Sequence, residues 1–270
     1  MSLKLRDNFQ FPENQANGIL ILDSGIGALS LLKCLNESLP NVPLIAFADQ
    51  EFFPYGEKEE SEVVDRLLDV ADHLVNKCQP STILVACNTA STIVLPELRS
   101  RFDIPIVGIV PGIKPAAEQS KSKKIILLAT KGTVNRQYTD RLIQEFASDC
   151  EVIKIGTSNL ASLAESKIVS GNSCLNSIGD ELEELNEHLD ADCLILGCTH
   201  FTYVKDEIRK IVGEELLIID PIKAVVDQVV RVNNSVQNKE SKNYLLTSST
   251  KKKYINLDLH SYSISEIIYL

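Results

Sequence analysis

Short apolar runs alternate along the chain with longer segments in which apolar residues recur at helical spacing. Within 59–79, for example, Val63, Val64, Leu67 and Leu68 belong to one apolar stripe with acidic residues between them. Alternation of this kind is typical of βαβ units and predicts a mostly parallel sheet flanked by helices. The predicted strands are GILILD (18–23), VPLIAFAD (42–49), PIVGIV (105–110), KIILLAT (124–130), EVIKIG (151–156) and LLIID (216–220).

Two more apolar runs end in a cysteine. STILVAC (81–87) leads to Cys87 and ADCLILGC (191–198) leads to Cys198, and small polar residues follow each of them. Open α/β folds place their chemistry at the carboxyl ends of parallel strands. We therefore expect both thiols at such an edge, in two similar α/β units. A pair of thiols placed in this way suggests a facing acid and base.

Helices are predicted between the strands. The expected segments are 24–40, 59–79, a helix from the first cysteine to about 102, 111–119, 134–147, 159–170, 172–189, a helix from 200 to about 212, and one that begins at Pro221. Asn172 and Ser173 are plausible N-caps of the segment 172–189. The segment 234–242 is polar and linker-like, and NYLLTSS (243–249) predicts a last strand with less regular structure behind it.

Composition narrows the class of protein. The 270 residues, 44% of them apolar, are enough for one large or two small domains. The net charge of −10 argues against nucleic acid and against an anionic membrane as a partner. No apolar run reaches the about 18 residues of a membrane span, and the first residues lack the apolar region of a signal peptide.

Seven cysteines are present, and they include no CxxC pair. The odd number and the spacing fit reduced thiols in a cytosolic enzyme. Most of them are expected to be small buried hydrophobic residues, Cys193 among them.

The cysteine at position 87 precedes a predicted helix start, where backbone N–H groups and the helix dipole favour a thiolate. Asn88 and Thr89 could cap that helix or hold a carboxylate. At the second cysteine, Gly197 permits a close approach, and His200 could orient the thiol or tune its pKa. The alternatives are a buried structural cysteine and an ordinary polar residue at a helix start.

Three other features carry weaker signals. Asp23 and Ser24 end the first strand. They either cap the next helix or contact a ligand group: a cationic group or a thiol for Asp23, a polar substrate for Ser24. The residues that follow match neither the dinucleotide-binding pattern nor the P-loop pattern. Pro54-Tyr55-Gly56 taken alone predicts a surface turn, and Glu165 a solvated charge on a helix. No metal-ligand spacing and no signal for a flavin or nucleotide is present.

Five motifs together resemble those of the glutamate racemases, in the same order: DSGIGALS (23–30), FPYGE (53–57), ACNTAS (86–91), ATKGT (129–133) and LGCTH (196–200). The resemblance covers about residues 18–235. Ser91 and His200 match the glutamate pattern better than that of aspartate racemases. Ala28 stands where the family usually has glycine, and Thr202 where it usually has proline.

This resemblance implies an α/β fold of two similar domains, each a mostly parallel sheet flanked by helices, with the active site between them. The expected domains are 1–110 plus 222–270, and 111–221. It implies Cys87 and Cys198 as catalytic acids and bases, assisted by Asp23 and His200, with Glu165 as a supporting carboxylate. The residues expected to bind or support the substrate are Asp23, Ser24, Tyr55, Gly56, Asn88, Thr89, Thr199 and His200.

The resemblance also implies a function. The chain is expected to interconvert L- and D-glutamate in the cytoplasm without a cofactor and to supply D-glutamate for peptidoglycan synthesis. Glutamate is the expected small-molecule partner, and a homodimer is possible. Neither nucleic acid nor a membrane is an expected partner. The alternatives are a racemase for aspartate or another small carboxylate, a non-catalytic module that binds a carboxylate or phosphate, and a thiol redox sensor.

Overall fold

The computed structural model describes residues 16–171, 175–188, 190–235, 237–249, 253–254 and 256–270. Their contacts divide the chain into two compact units. The first consists of the described residues of Met1–Ile109 and Ile222–Leu270, and the second is Val110–Pro221. Each unit contains one parallel sheet with helices packed around it, so the predicted α/β class is confirmed. The suggested caps Asn172 and Ser173 lie outside the described residues.

The strands are β1 (Ile19–Asp23), β2 (Leu44–Ala48), β3 (Thr82–Val85), β4 (Ile106–Gly108), β5 (Lys124–Thr130), β6 (Glu151–Thr157), β7 (Cys193–Gly197), β8 (Leu217–Ile219), β9 (Tyr244–Thr247) and β10 (Glu266–Tyr269). The helices are α1 (Ala28–Ser38), α2 (Glu60–Cys78), α3 (Asn88–Ser91), α4 (Leu95–Arg101), α5 (Ile113–Gln119), α6 (Lys131–Val134), α7 (Gln137–Phe146), α8 (Leu160–Ser170), α9 (Leu175–Glu181), α10 (Lys205–Val212) and α11 (Ile222–Val232).

The sheet of the first unit has the strand order β10-β9-β2-β1-β3-β4, and its strands run parallel. Every residue of β1, β2 and β3 is buried, as expected of central strands that are covered on both faces. The stripe predicted on α2 packs against this sheet: Val63, Leu67 and Leu74 share a core with Leu20 and Phe47. Helix α1 contacts α11, so the chain after Pro221 is again part of this unit.

The sheet of the second unit has the order β6-β5-β7-β8, again parallel. Its two central strands, β5 and β7, are almost entirely buried, whereas β6 lies at an edge and is partly exposed. Helix α5 packs on the same core through Ile113 and Ala116, beside Ile125 and Ile195.

Several predicted helices are shorter or divided. The helix expected from the first cysteine to about residue 102 is two helices, α3 and α4, because Pro96 in the first turn of α4 begins a new helix. The segment expected to start a helix at His200 is a 3₁₀ turn, Thr199–Val204, which leads into α10. The segment 172–189 contains α9 and a 3₁₀ turn, Glu183–His188.

The predicted last strand is confirmed as β9, and a further strand, β10, was not predicted. Residues of β10 are partly exposed, and this strand pairs only with β9 at the edge of the sheet. Its local pattern is therefore weak, and the pairing that forms it comes from tertiary structure. Across the described residues, no helix has both the length and the apolarity that a membrane span requires.

Candidate active site

In the first unit, Cys87 lies at the carboxyl edge of the sheet. Leu22 of β1 is in register with Val85 of β3, and the amide of Ala86 donates to the carbonyl of Leu22 at 2.8 Å. Asp23, the last residue of β1, and Cys87, two residues after the end of β3, therefore lie at the same edge of neighbouring strands. Cys87 is 8% exposed and is the N-cap of α3, with its carbonyl accepting from the amide of Ser91 at 2.9 Å. The predicted strand–cysteine–helix junction is confirmed.

The amide side chain of Asn88 is buried next to this thiol. Its residue is 2% exposed, and neither Oδ1 nor Nδ2 has a hydrogen-bond partner among the described residues. The cap interpretation of Asn88 is wrong, because Cys87 holds the N-cap position and Asn88 is the first residue of the helix. A buried polar group without a partner costs about 1–3 kcal/mol. Such a group is accounted for when a polar ligand supplies the missing bonds. The neighbouring Thr89 is equally buried.

The carboxylate of Asp23 organises the loop after β1 rather than capping a helix. Its Oδ1 accepts from the amide of Ser24 at 2.6 Å, from Ser24 Oγ at 3.4 Å and from the amide of Gly25 at 3.4 Å. Helix α1 starts later, with Gly27 as its N-cap, so the cap interpretation is wrong here too. Ala28, which replaces the usual glycine, begins that helix and is 1% exposed.

Tyr55 is not part of an exposed turn. It is 1% exposed, because the 3₁₀ turn Tyr55–Glu57 packs against α3. Its hydroxyl donates to Asp49 Oδ2 at 2.9 Å. Burial, together with the negative charge of Asp49, raises the pKa of Tyr55 well above its ordinary value, so the phenol is neutral at physiological pH. Gly56, the next residue, is partly exposed.

Asp49 is a residue that the sequence analysis missed. It follows β2 and is fully buried, its amide donates to the carbonyl of Asp23 at 2.9 Å, and its carboxylate receives two bonds from Arg66 at 2.8 and 2.6 Å. The signal was available in the sequence. VPLIAFAD ends in an aspartate just as GILILD does, and both strand ends belong to one edge.

In the second unit, Cys198 occupies the corresponding position after β7. Gly197 is in register with Ala129 of β5, and a Cβ added to Gly197 would lie 2.7 Å from the Cβ of Ala129. The close approach predicted at this glycine is therefore made by the neighbouring strand. Cys198 is 9% exposed, has an extended backbone and is the N-cap of the 3₁₀ turn Thr199–Val204. Thr199 is 2% exposed.

His200 and Glu165 form a buried pair beside this thiol. The Nδ1 atom of His200 lies 3.9 Å from Cys198 Sγ, and its Nε2 lies 3.0 Å from Glu165 Oε2. The interpretation of Glu165 as a solvated charge is wrong: it is 1% exposed, because α8 packs this face against the 3₁₀ turn. A neutral imidazole that donates Nε2–H to a carboxylate presents an unprotonated Nδ1 to the thiol. In that tautomer, His200 can accept a proton from Cys198 and return it.

Two hydroxyl contacts complete the edge of the second unit. Thr202, at the position where the family usually has proline, donates to Asp220 Oδ2 at 3.0 Å, so it ties the turn to the end of β8. Thr130, the last residue of β5, caps α6 by accepting from the amide of Thr133. Residues 131–133, which lie between the predicted strand 124–130 and the predicted helix 134–147, are therefore the start of a helix.

The other cysteines of the described chain have different surroundings. Burial raises the pKa of Cys78 to about 12, and burial followed by the nearby Asp192 raises that of Cys193 to about 11. Both thiols are thus protonated at neutral pH, and the prediction that Cys193 belongs to the core is confirmed. The six described cysteines form no disulfide with one another. Among the described residues, no cluster of three His, Cys, Asp or Glu side chains is arranged to hold a metal ion.

Comparisons with known proteins agree over most of the chain. Residues 19–229 match the model of the family described as Asp/Glu/Hydantoin racemase. Glutamate racemase from Actinobacillus pleuropneumoniae serotype 7 is 42% identical over 229 residues, which cover 83% of this chain and 86% of that protein. Glutamate racemase from Haemophilus influenzae strain PittGG is 45% identical over 212 residues, 78% of each protein.

The fold is similar to solved structures as well. Escherichia coli glutamate racemase, in complex with L-glutamate and the activator UDP-MurNAc-Ala, has a TM-score of 0.88 at 32% identity and covers 94% of this chain and 98% of its own. Glutamate racemase from Aquifex pyrophilus has a TM-score of 0.73 at 28% identity, with 92% and 95% covered. These likenesses extend over both units.

Proposed function

The chain belongs to the Asp/Glu/Hydantoin racemase family, and from that premise we propose that it interconverts L-glutamate and D-glutamate. The observation that carries the proposal is the matched pair of thiols, Cys87 and Cys198, each of which follows a buried strand at the carboxyl edge of its sheet. Identities of 42% and 45% to curated glutamate racemases support glutamate as the substrate.

Racemisation removes the α-proton from one face of the substrate and returns a proton to the other face. A single side chain cannot easily reach both faces, so two groups are needed. In the proposed reaction, one thiol begins as thiolate and takes the α-proton, and the other begins as thiol and gives its proton to the opposite face of Cα. The roles are exchanged in the reverse direction. General acid–base catalysis contributes about 10²- to 10⁴-fold, and positioning and electrostatic stabilisation must supply the rest.

Each thiol has its own proton-handling group in this proposal. His200, 3.9 Å from Cys198 and fixed by Glu165, accepts the thiol proton and returns it. Asp23, on the strand next to that of Cys87, serves the other thiol. The two thiols supply both the acid and the base, so the proposed reaction needs no cofactor.

Substrate binding is proposed for the polar groups around each strand end. Asn88 is the best supported of them, because its buried amide has an unfilled donor and an unfilled acceptor among the described residues. An amino acid has carboxylates that accept and an ammonium group that donates, so it can satisfy both. The other proposed binding residues are Asp23, Ser24, Tyr55, Gly56, Thr89, Thr199 and His200.

The cellular role follows from the activity. We propose that the protein acts in the cytoplasm, where thiols are kept reduced, and supplies D-glutamate for peptidoglycan synthesis. Depletion of the protein in its host should then create a requirement for added D-glutamate. A homodimer stays a prediction, which light scattering coupled to size-exclusion chromatography would test.

The proposal is tested by incubating the purified protein with L-glutamate in D₂O, without added metal or cofactor. Optical rotation and α-deuterium incorporation are followed together. D-glutamate that carries deuterium at Cα is the expected product, because the returned proton comes from a thiol that exchanges with solvent. Exchange with aspartate but not with glutamate would keep the chemistry and change the substrate. Failure to exchange either amino acid would contradict racemisation and favour a binding or redox role for the thiols.

A further inference from the structure

Strand β9 lies beyond the residues 19–229 that match the family, and Ser248, which follows it, adds a polar group to the carboxyl edge of the first sheet. Thr247 of β9 is in register with Ala48 of β2, and the amide of Ser248 donates to the carbonyl of Ala48 at 3.3 Å. The next residues of the two strands, Ser248 and Asp49, are therefore neighbours. Four adjacent strands thus end side by side in Ser248, Asp49, Asp23 and Cys87.

The hydroxyl of Ser248 completes the set of groups around the Asp49 carboxylate. Oδ2 accepts from Tyr55 Oη at 2.9 Å and from Arg66 Nε at 2.8 Å. Oδ1 accepts from Arg66 Nη2 at 2.6 Å and from Ser248 Oγ at 2.8 Å. A carboxylate has about four lone-pair directions, so the four bonds saturate it and fix its orientation.

The same hydroxyl also holds the loop that leads to Tyr55. Ser248 Oγ accepts from the amide of Glu51 at 3.0 Å while it donates to Asp49. Ser248 is 1% exposed, so water does not readily replace either bond. A second contact joins the same two segments: the ammonium group of Lys253 lies 5.5 Å from the ring centroid of Phe53, a cation–π distance. The C-terminal segment therefore contacts the loop between β2 and Tyr55 at two residues, Glu51 and Phe53.

We propose that Ser248 is a positioning residue that acts through Asp49 to fix the Tyr55 side chain for substrate binding. This inference rests on the proposed function, in which Tyr55 belongs to the binding residues. Strand β9 then contributes to substrate binding as well as joining β2 to the edge strand β10. We expect the effect of Ser248 to reach the substrate through Tyr55, because the turn that begins with Tyr55 packs against α3, the helix whose N-cap is Cys87.

The first test compares the kinetics of Ser248→Ala with those of the unchanged enzyme. We expect KM for glutamate to rise about three- to tenfold, the range that corresponds to the net contribution of a typical hydrogen bond, with kcat within about twofold. Ser248→Thr, which keeps the hydroxyl, should restore most of the affinity. Ser120→Ala is the matched control: Ser120 also donates to an aspartate, Asp192, at 2.6 Å, but at the amino end of β7 in the other unit. Its KM should not change.

The second test asks whether the effect passes through Tyr55. In a Tyr55→Phe background, Ser248→Ala should raise KM by less than about twofold, because the phenol that it positions is gone. An unchanged KM in the single Ser248→Ala variant would overturn the proposal. So would an equal rise in KM with and without the Tyr55 hydroxyl, since that result would mean a general loss of structure.

A third measurement separates this inference from the proposed function. The ¹³Cζ resonance of Tyr55, assigned by its loss in Tyr55→Phe, reports the hydrogen bond to Asp49 whether or not glutamate is turned over. We expect this resonance to move in Ser248→Ala and to return in Ser248→Thr. If the unchanged protein does not racemise glutamate and the resonance moves, the proposed function fails and the link from Ser248 to Tyr55 stands. A resonance that stays in place overturns the link itself.

Discussion

The two strand ends that carry Cys87 and Cys198 share a framework and differ in what surrounds the thiol. Each cysteine follows a buried strand, has an extended backbone, begins a helical turn and is 8% or 9% exposed. Beside Cys198 there is an imidazole that a buried carboxylate orients. Beside the strand of Cys87 there is a carboxylate, Asp23, that holds its own loop.

This difference shows that the position of each thiol and the groups that control its proton have separate origins in the sequence. The position of each thiol follows from a local pattern, an apolar strand and a turn into a helix. The groups that would move its proton come from elsewhere in the chain: Glu165 is 35 residues from His200, and Asp23 belongs to a different strand from Cys87. The two proton transfers of the proposed reaction can therefore depend on different helper groups, His200 for one thiol and Asp23 for the other. Variants of these groups can test this.

The largest effect is expected from removal of either thiol. Cys87→Ala and Cys198→Ala should each lower kcat for racemisation by at least about 10³-fold, because each removes the acid or base of one face. Cys78→Ala and Cys193→Ala are matched controls, since these buried thiols lie in the same two units, outside the proposed site. They should lower the melting temperature and leave kcat within about twofold. Normal turnover by a variant that lacks Cys87 or Cys198 would contradict the proposed role of that thiol as an acid or base.

A smaller effect should reveal the asymmetry. His200→Asn should lower kcat about 10²-fold, because proton transfer at Cys198 becomes slow. The primary isotope effect with α-deuterated glutamate should then grow in the one direction in which Cys198 removes the α-proton. Asp23→Asn should enlarge it in the opposite direction. Growth in the same direction for both variants would contradict the assignment of one helper to each thiol.

The partner of His200 gives a graded version of that experiment. Glu165→Gln keeps an oxygen that can accept from Nε2 but removes the charge, so a loss of about tenfold in kcat is expected. Glu207→Gln is its matched control, because Glu207 is a buried carboxylate of the same unit that pairs with Lys167 at 2.7 Å. Its kcat should stay within about twofold while stability falls.

The last expected effect is also about tenfold and concerns binding by the first unit. Asn88→Ala should raise KM for glutamate about tenfold and leave the melting temperature nearly unchanged, because the described residues make no hydrogen bond to that side chain. Asn243→Ala is the opposite case: its amide bonds Leu44, Asn36 and Ser263, so we expect a melting temperature several degrees lower and an unchanged KM. A fall in melting temperature without a change in KM for Asn88→Ala would mean that its amide is structural.

Sequence patterns predicted the features that depend on neighbours along the chain. The strand KIILLAT was predicted with its observed bounds, 124–130, and both cysteines were placed at strand ends. Errors arose where packing between distant segments decides the environment. Glu165 and Tyr55 have the composition of exposed positions, yet other elements cover them. Asn88 and Asp23 have the chemistry of helix caps, but the helices begin at positions where neither side chain can serve as one.

The sequence by itself determined the parallel α/β units and the carboxyl-edge position of Cys87 and Cys198, because hydrophobic periodicity and the alternation of strands with helices are properties of the order of residues along the chain. Only the tertiary structure decided what those thiols meet. It placed Glu165 beside His200, and it brought Ser248, which follows β9, to Asp49. The physical reason is that a hydrogen bond between buried groups depends on which strands become neighbours. A one-dimensional pattern of apolar and polar residues leaves that choice open for the last strands of the sheet.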